Sequence, residues 1–316
     1  MTPSIANLLG IKYPLIIAPM FLVSDTKMVI EALKSGCTAA IPALNYRTQA
    51  ELRTAIREIR SAQKGPIGIN LIVNKSNMRL SKDLAVCLEE GIDFYITSLG
   101  SPKEVIEKAH KDGKLVFCDV VNAEYALKVE KLGADAVIAV NNEAGGHAGK
   151  LSMIEILNEL KNSIHIPIIS AGGIAEAADL NAALEAGASG VSVGTVFIAS
   201  DEAPVSQEYK NALIEYGAKD IVMTTKLSGT PCTVIKTPYV EKTGTEPNWI
   251  EKTMNRYKGL KKLMKMILFV RGMKKLRSAA FDFTYKKVWC AGPSIEKIKE
   301  IRPIRVIIAD LVRDLP

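Results

Sequence analysis

An apolar, β-branched run followed by a polar stretch of helical spacing recurs eight times between Tyr13 and Ile198. Few folds absorb that rhythm. The apolar runs are Tyr13–Met20, Cys37–Leu44, Ile67–Val73, Phe94–Leu99, Leu115–Val121, Ala136–Val140, Ile166–Ser170 and Gly190–Ile198. Each is continuous rather than alternating, the pattern of strands buried on both faces. Helices are predicted between them, among them Thr48–Ser61, Ser81–Glu90, Pro102–Lys111, Ala123–Lys131, Ser152–Lys161 and Glu176–Ala186. Three of the helices stop in one punctuation: Gly91-Ile92-Asp93, Gly133-Ala134-Asp135 and Gly187-Ala188-Ser189 each lead into a strand. Glycine suits the left-handed position that ends a helix. Alternating strands and helices imply a parallel sheet, and eight units close most economically into a (β/α)₈ (TIM) barrel. An open, doubly wound sheet is the competing architecture.

After Ile198 the rhythm ends. Glu202–Gly217 and Lys297–Leu315 read as helices. The expected organisation is a barrel from residues 1–220 and 288–316, with 221–287 as a basic, mostly helical insertion over its mouth. Between Glu251 and Lys287 twelve Lys/Arg face two acids, a local +10 in a chain whose net charge is +7. Such a patch attracts phosphates, carboxylates or an acidic partner; a solvated helix face explains it equally well.

Composition narrows the function classes. Five cysteines are scattered without a CxxC pair, and only three histidines are present. That argues against a zinc cluster and for reduced thiols in a cytoplasmic protein. Met1-Thr2-Pro3-Ser4 lacks the basic and apolar regions of a signal peptide. No apolar run nears the roughly 20 residues of a membrane span. Neither nucleic acid nor membrane is an expected partner; a small-molecule substrate is, and a homodimer is left open.

In a barrel of this kind chemistry sits at the C-terminal strand ends. Ala171-Gly172-Gly173 follows the seventh run, and Ser192-Val193-Gly194-Thr195 lies at the end of the eighth. Consecutive glycine loops let backbone amides approach a phosphate, although tight turns would need glycine too. His147 is the one histidine at a strand end, between Gly145-Gly146 and Gly149. A neutral imidazole there suits general base catalysis, or it is a structural loop residue. His110 and His165 read as structural. Asn70 is either an amide facing a ligand or a satisfied core amide. Asn45 and Asp119 either line the pocket or cap the next helix, and Glu143 either orients His147 or caps a turn.

These strand ends resemble the nitronate monooxygenase (2-nitropropane dioxygenase) family, to which the flavin-dependent enoyl-ACP reductases are close. The stretches that carry the likeness are Tyr13-Pro14-Leu15-Ile16-Ile17-Ala18-Pro19-Met20, Gly68-Ile69-Asn70, Glu143-Ala144-Gly145-Gly146-His147-Ala148-Gly149, Ala171-Gly172-Gly173-Ile174 and Val193-Gly194-Thr195-Val196-Phe197. Trp289-Cys290-Ala291-Gly292 is similar to the family's closing segment. The resemblance implies FMN in the barrel mouth. Asn70, Gly145, Gly146, Ala171, Gly172, Gly173 and Ser192 to Thr195 would bind it, with Ala18, Pro19 and Met20 against the ring. It implies His147 as acid/base and oxidation of alkyl nitronates with O₂; the reductase branch would instead use NAD(P)H and an enoyl thioester. A phosphate-ligand binder without catalysis is the reading from another class. Val140-Asn141 stands where many members carry Gln-Gly, and Pro293 where a glutamine often follows the glycine. Both departures bear on substrate identity.

Overall fold

The computed structural model describes residues 3–225, 231–246 and 288–315. Its strands are β1 (Leu15–Ile17), β2 (Thr38–Pro42), β3 (Gly68–Ile72), β4 (Phe94–Ser98), β5 (Leu115–Val120), β6 (Ala136–Val140), β7 (Gly146–His147), β8 (Ile168–Ala171), β9 (Gly190–Val193), β10 (Ile221–Thr224) and β11 (Cys232–Ile235). Eight of them close a parallel barrel in the order β1-β2-β3-β4-β5-β6-β8-β9. Closure is made by β1 on β9, with Ile16 opposite Ser192. The protein is therefore a (β/α)₈ barrel.

The glycine punctuation does what its chemistry allows. Gly91, Gly133 and Gly187 have φ of +68°, +97° and +97°. The residue two places on then ties the barrel floor together. Asp93 Oδ2 accepts from Ile67 N at 2.8 Å, and Asp135 Oδ2 accepts from Val116 N at 2.7 Å. Each turn thus ends one helix and staples the start of a neighbouring strand.

Inside the barrel a small apolar core holds Ile16, Ala40, Phe94, Ile96, Phe117, Ile138 and Ile169. A short helix, Ile5–Leu9, N-capped by Ser4, plugs it from below. Gly190 makes room for that plug: a Cβ there would lie 2.3 Å from Ile5. Gly68 makes the same room for Phe94. The Phe94 and Phe117 rings, both fully buried, stand 5.3 Å apart. Phe117→Ala is expected to cost about 3–5 kcal/mol by leaving a void that the rigid barrel cannot close. Urea unfolding checks it, and a midpoint equal to wild type would refute the plug-and-layer reading.

The structure corrects three sequence expectations. The eighth run ends as a strand at Val193, and Thr195–Ile198 is a helical turn. Its partner β1 stops at Ile17, and Pro19 has no N–H with which to continue a ladder. The helix expected over Glu202–Gly217 spans Gln207–Glu215 and is capped by Ser206. The one expected from Lys297 starts at Ile304, because Pro303 ends what precedes it. Within the described part of the expected insertion, β10 and β11 form an antiparallel ribbon, followed by a short helix at Pro238–Thr243. The twelve-cation segment lies outside the described residues.

Candidate active site

At the C-terminal ends of the barrel strands opens a cavity of ≈ 1210 Å³. It is lined by Ala18, Pro19, Met20, Asn70, Gly145, Gly146, His147, Ala171, Gly172, Gly173, Ser192, Val193, Gly194 and Thr195, together with Asp119 and Glu143. Residues singled out on six separate strand ends or loops thus meet in one place. Asn45 is not among the lining residues. Its amide is spent on the loop after β1: Oδ1 accepts from Leu22 N at 2.8 Å, and Nδ2 donates to Ser24 O at 2.8 Å and to Met20 O at 3.3 Å. Leu22 sits at φ +58°, so Asn45 holds the strained bend that presents Pro19 and Met20.

The glycine loops form a cradle. Gly172 and Gly173 have φ of +113° and +80°, a region closed to most side chains. A Cβ on Gly172 would lie 2.0 Å from Asn141 Oδ1, and one on Gly173 would lie 2.1 Å from Glu143 Oε2. Gly194 is packed against Met20 and Ala18, joining the ends of β9 and β1. Among the described residues the amides of Gly172, Gly173 and Gly194 donate no hydrogen bond. Amides left open at neighbouring strand ends are what an anion needs.

Asn141, which sequence reasoning set aside as a departure, is the knot of this region. It is fully buried. Its Nδ2 donates to Gly172 O at 3.0 Å, and its Oδ1 accepts from Glu143 N at 2.9 Å. Its backbone accepts from Gly149 N at 3.0 Å. One residue therefore fixes the glycine cradle and the start of the His147 loop through its side chain, and the end of that loop through its backbone carbonyl. Glu143 lies over Gly173.

His147 is placed by the ribbon, which the sequence did not suggest. Gly146 and His147 form β7 and pair antiparallel with β11, His147 opposite Cys232. Thr233 Oγ1 donates to Ala144 O at 2.5 Å and to Gly146 O at 3.2 Å. The β-branched run Cys232-Thr233-Val234-Ile235 was the available signal. His147 is open to the cavity yet surrounded by protein, and that partial loss of water lowers its pKa. At neutral pH the imidazole is uncharged and able to accept a proton. His110 and His165 are away from the cavity; His110 contacts Asp135 at 3.0 Å.

The closing segment returns to the same place. Tyr209 stacks on Trp289 with centroids 5.6 Å apart and donates to Cys290 O at 2.6 Å. Gly292 N donates to Thr195 Oγ1 at 3.1 Å. Cys232 and Cys290 bring their sulfurs to 3.9 Å at the cavity edge.

On the far wall, Asn70 Nδ2 donates to Ile96 O at 3.2 Å and to Ser98 Oγ at 2.8 Å. Its carbonyl oxygen is thereby the atom left for a ligand. Ser98 Oγ in turn donates to Asp119 Oδ2. Asp119 does not cap the next helix; Asn122 does, accepting from Tyr125 N at 2.9 Å. Among the described residues no group of three or more His, Cys, Asp or Glu could hold a metal ion, and no helix is long and apolar enough to cross a membrane.

Comparison with known proteins adds the following. The family described as nitronate monooxygenase matches residues 2–314. The chain is 29% identical over 237 residues to the (3aS,4S,5R,7aS)-5-hydroxy-7a-methyl-1-oxo-octahydro-1H-indene-4-carboxyl-CoA dehydrogenase of Rhodococcus jostii, covering 75% of this chain and 66% of that protein. It thus spans a little under two thirds of that relative. It is 26% identical over 283 residues to a probable nitronate monooxygenase of Staphylococcus saprophyticus, covering 75% of this chain and 79% of that one. Among solved structures it is similar to FabK from Thermotoga maritima, with a TM-score of 0.85 and 28% identity, covering 99% of this chain and 96% of that one.

Proposed function

The chain belongs to the nitronate monooxygenase family of oxidoreductases, and from that premise we propose that its cavity holds FMN and that it oxidises alkyl nitronates with O₂. The observation that carries this reading is the cradle. Gly172, Gly173 and Gly194 present open amides at two adjacent strand ends, at positions where a Cβ would meet Asn141, Glu143 or Met20. A phosphate site after the seventh and eighth strands is a recurring use of this barrel. The residues present therefore fit a phosphorylated flavin.

Bound there, FMN would supply the two-electron chemistry. The chain's own residues do the rest. Backbone amides bind the phosphate, and the Thr195 hydroxyl is within the same lining. Pro19 and Met20 offer an apolar face that orients the ring and excludes water. Asn70 offers its carbonyl oxygen to the ring edge. His147, uncharged at neutral pH, takes the proton from the carbon beside the nitro group, or holds the nitronate oxygen once that proton has gone. Met223 of β10 and Cys232 of β11, both within the expected insertion, line the cavity as well.

One observation favours a second reading. The cavity exceeds the roughly 300–1,000 Å³ of an ordinary small-ligand site, so a bulky acyl thioester fits beside the flavin, with NAD(P)H as reductant. The likenesses to a CoA-ester dehydrogenase and to FabK support the same alternative. Anaerobic flavin reduction separates the two. Bleaching by propionate-3-nitronate but not by NAD(P)H is the expected result. Bleaching by NAD(P)H, reversed by an enoyl-CoA, would replace nitronate oxidation with thioester reduction. Protein that is colourless and refuses added FMN would remove both.

A further inference from the structure

We propose that Asp119 is a proton-holding residue of this cavity, coupled through the Ser98 hydroxyl to the Asn70 amide, so that the wall facing the flavin changes its charge with the proton Asp119 holds. The proposal rests on the FMN reading and deepens it.

The placement comes from the barrel itself. In the closed order the glycine cradle lies on β8 and β9, and the strands across the ring from them are β3 and β4. Asn70, Ser98 and Asp119 come from the consecutive strands β3, β4 and β5 and line the same mouth. A ligand anchored by its phosphate in the cradle and lying across the mouth ends against this wall. Asn70 donates to Ser98 at 2.8 Å, and Ser98 donates onward to Asp119. The direction is informative. With Asp119 ionised, the Ser98 proton points at the carboxylate and the Asn70 N–H points at Ser98. A protonated Asp119 no longer demands the Ser98 proton, and the hydroxyl is free to turn toward the ligand.

Asp119 is costly where it stands. Burial raises its pKa to about 6, with the Ser98 hydrogen bond opposing the rise. The groups around it do not neutralise it. On its own strand Cys118 is itself pushed up, and Asp119 contributes to that. From the following helix Tyr125 faces it and is raised partly by the same charge. From β6 its register partner is Ile138. Lys128, Glu143, Glu159 and His147 line the same cavity, and none is among the causes that set the Asp119 value. Because the native pKa lies above the unfolded value of 3.8, the fold binds this proton more tightly than the unfolded chain does. The linkage is favourable at low pH and is lost as pH rises from about 4 to 6. A carboxyl retained at such a cost beside a ligand cavity marks function rather than stability.

Reduction of a bound flavin adds negative charge and raises the proton affinity of a nearby carboxylate. Over the pH window between the two affinities, reduction takes up one further proton. The midpoint potential of the FMN-loaded protein should then fall by about 30 mV more per pH unit than outside the window, the two-electron equivalent of a tenfold change. Asp119→Asn is expected to bind FMN and lose that extra slope, and to melt higher than wild type above pH 6 but not below pH 4. Ser98→Ala, which removes the bond favouring the ionised form, should move the window to higher pH. Asp119→Asn protein that holds FMN yet reproduces the wild-type potential against pH would overturn the proposal while leaving the flavin reading intact. Wild-type protein that refuses FMN removes that reading instead. The infrared carboxyl band lost in Asp119→Asn then decides: a wild-type band that does not titrate between pH 5 and 7 overturns the proposal too.

Discussion

Gly172→Ala is expected to strip FMN from the protein. The residue sits at φ +113°, and its new Cβ would meet Asn141 Oδ1 at 2.0 Å and Ala144 N at 2.7 Å. The first neighbour cannot step aside cheaply. Asn141 is buried and already bonded to Gly172 O and Glu143 N. The second is backbone. Forcing an L-residue into a left-handed conformation costs about 1–2 kcal/mol, and each displaced hydrogen bond adds roughly 0.5–1.5 kcal/mol. A total near 3 kcal/mol, felt where the phosphate is held, weakens binding by roughly 100-fold. Quenching of FMN fluorescence on titration measures it directly. Gly91→Ala, at a helix stop on the barrel floor with nothing within 4 Å of the added carbon, is the control: a modest loss of stability and unchanged flavin affinity. Equal FMN affinity in wild type and Gly172→Ala would show that the cradle is not where the phosphate binds.

Much of the barrel was legible because its signals are local. Continuous β-branched runs and glycine stops such as Gly91 and Gly133 act within a few residues of themselves. The failures share a cause. The end of β9 at Val193 depends on where β1 ends, far away in sequence. The plug at Ile5–Leu9 is too short to announce itself, and it is stable only because Gly190 and the barrel interior receive it. The ribbon β10–β11 was hidden because its two short runs sit among Gly229, Pro231 and Pro238, which read as a loop.

The site divides along the same line. Glycines were readable because their backbone need is intrinsic. Polar residues were not, because an amide or hydroxyl takes its role from its partners. Asn45 and Asn70 are both amides set against apolar runs, Asn45 just past the end of one and Asn70 inside another. One spends its whole amide on the loop of Leu22, and the other keeps a carbonyl at the cavity. Ser98 drew no attention, since a serine ending a strand carries no signal until Asn70 and Asp119 stand on either side. Asn141 looked like a missing flavin partner and is the residue that ties the cradle to the histidine loop.

His147→Ala is expected to lower kcat by about 100- to 10,000-fold, the range for removing a positioned acid or base, while FMN is retained. Retention follows from the geometry. Histidine occupies a two-residue strand held by Cys232 and by Thr233, whose hydroxyl bonds the backbone of Ala144 and Gly146. Those contacts are made by the backbone of Gly146 and His147 and by the Thr233 hydroxyl, so they remain to hold the loop beside the cradle when the imidazole is removed. The pH profile supplies the sharper test. Burial lowers the His147 pKa, so the neutral form dominates at pH 7 and the base is lost only as pH falls below the ordinary imidazole range. Wild-type kcat/KM with a neutral nitroalkane should decline on that acid side, and the limb should vanish in His147→Ala. With preformed nitronate, which needs no proton removed, the deficit should shrink if His147 works mainly as the base and persist if it works mainly by holding the nitronate oxygen. A variant with full kcat on both substrates would leave His147 a loop residue, and the proton chemistry would then have to be sought at the Asp119 wall.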